Sequence, residues 1–161
     1  MIEMQLVGVR VELPTNQPIV LLRERTGERF LPIWIGPVEA TAIAFALQGI
    51  VTQRPLTHDL LKSILEETGV SVERVVITEL KDTTFYATLE LARDGSQYSV
   101  SSRPSDAIAL AVRMSVPLFA SPDVLNEAGI HIRDEDEQEA EVEKFREFID
   151  SVSPEDFGGS T

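Results

Sequence analysis

The stretch Phe30-Leu-Pro-Ile-Trp-Ile35-Gly-Pro-Val-Glu-Ala40-Thr-Ala-Ile-Ala-Phe45-Ala-Leu-Gln-Gly49 changes its apolar pattern at Gly36-Pro37, and that change sets the fold class. Phe30 to Ile35 reads as a strand that Pro32 confines to a sheet edge or a bulge, because proline brings no N–H to the ladder. Trp34, inside this apolar run, is expected in the core. Gly36 and Pro37 stop the strand and open a helix, since proline at the first helical position gives up only an N–H that the helix does not use. The helix, Val38 to Gln48, is apolar nearly all round, and Gly49 suits its C-terminal cap. Such a helix belongs inside a core or inside an oligomer.

Upstream, Val7, Val9, Val11 and Leu13 alternate with Gly8, Arg10 and Glu12, the two-residue period of a strand over Gln5 to Leu13 with one wet face. Ile19 to Leu22 is a continuous apolar run, expected as a central strand covered on both faces. Thr26-Gly27 forms a hairpin turn back to Phe30. Downstream, Thr57 is placed as the N-cap of a helix to about Thr68 with Leu60, Leu61, Ile64 and Leu65 as its apolar stripe. Val70 to Leu80, Thr84 to Ala92 and Gln97 to Ser101 read as strands, the last two joined by the hairpin signal Asp94-Gly95. A helix from Pro104 to about Met114, a strand at Val116 to Ala120 and a short helix at Pro122 to Ala128 follow. The expectation is an α+β fold: a mixed, largely antiparallel sheet with about three core helices, forming a single domain over residues 1–132.

The 161 residues carry 27 acidic and 14 basic side chains, a formal charge of −13, and no cysteine. Without cysteine there is no disulfide framework, thiolate nucleophile, zinc ribbon or iron–sulfur site, which fits a reducing cytoplasm. The first residues lack a basic start and a long apolar run, so no export is expected, and the apolar stretch from Leu31 to Gln53 is too interrupted to span a bilayer. The charge is unevenly placed: residues 1–132 hold 16 acids and 11 bases, whereas residues 133–161 hold 11 acids and 3 bases. In that acidic tail Val142, Phe145, Phe148, Ile149 and Val152 recur at helical spacing, so a helix near 138–152 is expected, followed by a disordered end. It reads as a solvated helix laid on the body, or more sharply as an acidic flap that shields a phosphate site. A net negative body excludes a broad basic nucleic-acid face and leaves room for a small local site.

Two helix entrances resemble each other: Arg54-Pro-Leu-Thr-His-Asp59 and Arg103-Pro-Ser-Asp106. In each, an Arg-Pro pair precedes small hydroxyl and carboxylate groups where the free N–H groups of a helix start point outward. Those N–H groups and the positive end of the helix dipole attract anions, and the arginine adds a two-pronged phosphate partner. Arg54, Thr57, Arg103 and Ser105 are therefore candidate phosphate-binding residues. The blander reading makes Asp59 and Asp106 first-turn acids that complement the dipole, worth ~0.3–1 kcal/mol each. In it the arginines pair locally and His58 is a satisfied surface residue. Glu39, in the first turn of the apolar helix, is either a similar dipole choice or a third carboxylate converging with Asp59 and Asp106. Together those three have the chemistry to hold Mg²⁺ or Mn²⁺. No Walker loop, dinucleotide fingerprint, Gly-x-Ser-x-Gly elbow or His-Glu-x-x-His is present, so ATP phosphotransfer, hydride transfer and serine hydrolysis are set aside, and no organic cofactor is expected.

Four segments carry a family resemblance: Leu31-Pro-Ile-Trp-Ile-Gly36 with Glu39 and Ala40, Arg54-Pro-Leu-Thr-His-Asp-Leu60, Thr84-Phe-Tyr-Ala87, and Ser102-Arg-Pro-Ser-Asp-Ala-Ile-Ala-Leu-Ala111. In that order they resemble the bifunctional nuclease family of bacteria and plants, over the body from the first strand to about Ala128, with the tail outside the pattern. The resemblance implies a self-associating α+β domain, a dimer as the first expectation, that acts transiently on RNA and DNA and on no membrane. Carried over by position, Glu39, His58, Asp59 and Asp106 would be the acid, base or metal-binding groups, and Arg54 and Arg103 the phosphate clamps. Two functions follow: a nuclease with little sequence specificity and divalent-ion assistance, or a non-catalytic oligomeric module that binds an anionic ligand or a protein.

Overall fold

A computed structural model describes residues 1–12, 14–132 and 146. Strands β1 (Ile2–Glu12), β2 (Gln17–Glu24) and β3 (Arg29–Trp34) run as successive antiparallel neighbours, then helices α1 (Pro37–Gln48) and α2 (Thr57–Glu67) cross over to a second meander. This is β4 (Ser71–Lys81), β5 (Thr84–Arg93) and β6 (Ser96–Ser102), again antiparallel. Helix α3 (Pro104–Met114), strand β7 (Leu118–Ala120), helix α4 (Pro122–Ala128) and strand β8 (Ile130–His131) complete the described body. The expected tail helix and its flap fall on residues outside those described, Arg146 apart.

Short β7 unites the two meanders, pairing parallel with β4 and antiparallel with β1, so that the sheet runs β6-β5-β4-β7-β1-β2-β3-β8. Everything but the β4–β7 pair is antiparallel, as the hairpin signals required. Asp94 and Gly95 turn the β5–β6 hairpin with φ of 50° and 80°, the left-handed pair that Asp-Gly favours. The β4–β5 hairpin makes the same turn at Asp82 and Thr83, φ 51° and 62°, without glycine; a β-branched residue rarely enters that region. Strand β8 pairs only with Arg29 and Phe30, which leaves Pro32 on the unpaired length of β3 where a missing N–H does least harm.

The core lies between the sheet and α1 and α3. Leu22, Leu31, Val75 and Ile77 from the strands meet Ile43, Ile108 and Leu110 from the helices, all completely buried. Helix α3 is the hub, touching α1, α2, β4 and β5. No helix among the described residues is long and apolar enough to cross a membrane.

Three local expectations need correction. Val7 is exposed, because a bulge between Leu6 and Gly8 resets the alternation and hands the inward positions to Met4 and Val9. Leu60, Leu61 and Ile64 on α2 are also exposed, since α2 packs against α3 at one edge and its only buried residue is His58. Trp34 is 53% exposed rather than core: Ile33 and Ile35 take the inward positions and the pleat sends the residue between them outward.

Candidate functional site

The contacts of α1, α2 and α3 bring their three starting turns together. Glu39 stands in the first turn of α1, His58 at the second residue of α2, Arg103 at the N-cap of α3 and Asp106 in its first turn. The four form a continuous chain. His58 Nε2 lies 2.9 Å from Asp106 Oδ1. Arg103 donates from Nε to Asp106 Oδ2 at 2.9 Å and from Nη2 to Oδ1 at 3.2 Å, a two-pronged pair, and from Nη1 to Glu39 Oε1 at 3.2 Å. His58 is buried and so is much of Glu39, while the Arg103 side chain is 65% exposed. A guanidinium has five N–H groups, so Arg103 keeps N–H groups for a ligand from solvent.

Local sequence holds Glu39 in place. Pro37 starts α1 and Gly36, with φ −78°, caps it. A Cβ at Gly36 would stand 2.2 Å from Glu39 Oε2, so the carboxylate occupies space that only glycine leaves open.

Asp59 is turned elsewhere. Its Oδ1 accepts from Arg113 Nε at 2.7 Å and its Oδ2 from the Leu56 backbone N–H at 2.9 Å. It thus ties the start of α2 to the end of α3, where Arg113 is nearly enclosed. The backbone N-cap is Leu56, not Thr57, whose side chain is exposed and makes no capping bond. Arg54 is exposed on the loop before α2, where its carbonyl accepts from Thr52, and its guanidinium has no ion-pair partner among the described residues. The two corners are therefore not equivalent: Arg103 sits inside the polar chain and Arg54 outside it. Arg113 escaped the sequence reading because its partner is 54 positions away.

Burial pushes the Asp106 carboxyl up, but hydrogen bonds from Arg103 and His58 and their charge outweigh it and hold the group below the usual carboxylate range. Asp59 is likewise held low against burial by Arg113 and the Leu56 N–H. The hydrogen bond to Asp106 in turn raises Arg103, which stays a cation. Asp106 is thus an ionised group whose Oδ1 engages His58 at Nε2 and not at Nδ1.

The expected ion-binding set does not assemble in this geometry. Glu39 and Asp106 meet across a guanidinium, Asp59 is engaged by Arg113, and among the described residues no three His, Asp or Glu side chains are placed to share an ion. In this geometry Glu39, Asp59 and Asp106 are each engaged by an arginine and do not share one site.

A cleft of about 350 Å³ opens beside this chain, lined by Trp34 and Gly36 from the end of β3, Thr83 and Phe85 from the β4–β5 hairpin, and Arg103 and Ser105 from the start of α3. Ser105 is almost wholly buried at its foot.

The bifunctional nuclease domain matches residues 20–133, which include every candidate side chain. An uncharacterized protein of Mycobacterium tuberculosis is 50% identical over 162 residues, covering 96% of this chain and 97% of that protein. Bifunctional nuclease 1 of Oryza sativa subsp. japonica is 30% identical over 73% of this chain, and Bifunctional nuclease 2 of Arabidopsis thaliana 28% identical over 76% of it. The chain spans 36% and 39% of those two plant proteins. By the extent of the domain match, this chain belongs to the bifunctional nuclease domain family.

Proposed function

We propose that the chain is a phosphodiesterase that cleaves RNA and DNA with little sequence preference. The observation that carries the reading is the hydrogen-bonded chain His58–Asp106–Arg103–Glu39, which gathers a general base, its orienting carboxylate and a phosphate-facing cation at three helix starts. His58 Nδ1 takes a proton from the attacking water as its oxygen bonds to phosphorus. The leaving oxygen departs with the electron pair of the broken P–O bond and gains a proton from solvent. The free N–H groups of Arg103 and the α3 start stabilise charge building on the phosphoryl oxygens. Glu39 holds the guanidinium toward the cleft. The names of the plant relatives support nucleic acid as the substrate class.

The test compares purified protein with His58→Ala, Arg103→Ala and Asp106→Ala on labelled RNA and DNA, with and without EDTA. Strong loss in the variants supports the reading; equal residual cleavage by all four proteins identifies a contaminant and overturns it. Abolition by EDTA with rescue by Mg²⁺ or Mn²⁺ supports the expected divalent assistance, and unchanged cleavage in EDTA removes it. Self-association, as a dimer, belongs to the same proposal and is supported by the exposed Leu60, Leu61 and Ile64 on α2.

A further inference from the structure

We infer that the cleft beside Arg103 is a nucleobase subsite in which Trp34 stacks on an unpaired base of a single strand. Trp34 stands between the buried Ile33 and Ile35, is about half exposed and lines the cleft. Large apolar surface left in water is unfavourable, so a half-exposed indole lining a cleft is a surface that gains by being covered. Phe85, partly buried, adds a second ring to the same wall. The remaining lining is polar and cationic: Arg103, with N–H groups unspent, and Ser105.

Ser105, only 6% exposed, lines the same cleft and adds a hydroxyl beside the Arg103 guanidinium. An aromatic wall facing a cation and a donor hydroxyl matches the two ends of a nucleotide, a flat base joined to an anionic phosphate. Stacking on aromatic rings tolerates every base, which agrees with little sequence preference. The base faces of a duplex are covered by their neighbours, so the strand that fits is single. Trp34 is held by its pairing with Ile19 in the sheet.

This inference rests on the proposed nuclease reading for the phosphate at Arg103, and its test separates the two. Trp34 is the single tryptophan of the chain, so its emission reports the subsite directly. The probes are a short phosphorothioate oligodeoxythymidylate, which resists cleavage, and an abasic strand of the same length and charge. The base-bearing strand is expected to quench Trp34 emission and to bind roughly tenfold or more tighter than the abasic one. Trp34→Ala should weaken the base-bearing strand by about five- to a hundredfold, measured by anisotropy of a labelled probe, and leave the abasic strand unchanged. Trp34→Phe, which keeps a ring, should retain most of the affinity, and its circular dichroism guards against a folding defect. Equal affinity for the two strands with unmoved emission overturns the inference. If that result accompanies cleavage of RNA and DNA, the nuclease reading stands without the subsite; quenching in a protein that cleaves neither leaves the subsite and removes the nuclease.

Discussion

His58 Nε2 and Asp106 Oδ1 lie 2.9 Å apart although 48 positions separate the two residues in the chain. The carboxylate, kept ionised by Arg103, engages Nε2 of His58, and in the proposed reaction that leaves Nδ1 to take the proton. His58→Ala should lower the cleavage rate by about 10²–10⁴-fold, the usual worth of a positioned general base. Asp106→Asn preserves shape but weakens the grip on both His58 and Arg103, so it should lower kcat on RNA and DNA together while KM moves less. A rate for Asp106→Asn equal to wild type would remove Asp106 from the mechanism.

Gly36 offers a second, indirect probe. Its φ of −78° suits alanine, so the backbone tolerates Gly36→Ala, but the new Cβ would collide with the Glu39 carboxylate. Arg103 then loses its Glu39 partner. Thermal stability should change by less than about 1 kcal/mol while cleavage falls, and Glu39→Gln should reproduce the loss without touching Gly36.

Asp59 and Arg113 should behave as a structural pair. Asp59→Ala leaves a nearly enclosed guanidinium without its carboxylate and an N-terminal N–H of α2 without its acceptor. A loss of about 2 kcal/mol is expected, moderated by the partial exposure of Asp59. Urea unfolding of Asp59→Ala, Arg113→Ala and the double variant should show strong coupling between them, since additivity fails for groups in contact.

The same geometry sets an acid dependence. Asp59 and Asp106 bind protons more weakly folded than unfolded, so the unfolded chain takes up more protons as the pH falls. Their contribution to stability is complete well above about pH 4, the ordinary carboxylate range, and is lost as the pH drops through their lowered folded values. Unfolding midpoints measured from neutral pH downward should fall in that window, and Asp59→Asn should flatten the slope.

Helix α2 provides the check on self-association. Ile64→Glu, a change on an exposed face, should leave the circular dichroism of the body unaltered and shift the sedimentation coefficient to that of a monomer. A wild type that already sediments as a monomer at micromolar concentration would remove the dimer.

Much of the fold was legible because its signals are local. The Asp94-Gly95 turn, the proline starts of α1 and α3 and the glycine end of α1 all act within a few residues of themselves. The bulge after Leu6 was not legible, since it depends on how β1 meets β2, nor was the Asp82-Thr83 turn, which lacks the glycine that usually marks it.

The site divides along the same line. The sequence by itself determined the cast: two Arg-Pro helix entrances, a histidine, three carboxylates, and an apolar helix to carry one of them. Only the tertiary structure decided the pairings. Arg103 reaches Glu39 across 64 positions, Asp59 leaves the group for Arg113, and Trp34 faces a cleft instead of the core. The physical reason is that an ion pair depends on distance in space, and its energy falls with separation whatever lies between the partners in the chain. Which carboxylate meets which arginine therefore follows from how α1, α2 and α3 pack: the buried Ile43, Ile108 and Leu110 seat α1 and α3 in the core, and α2 joins α3 through His58 and the Asp59–Arg113 pair.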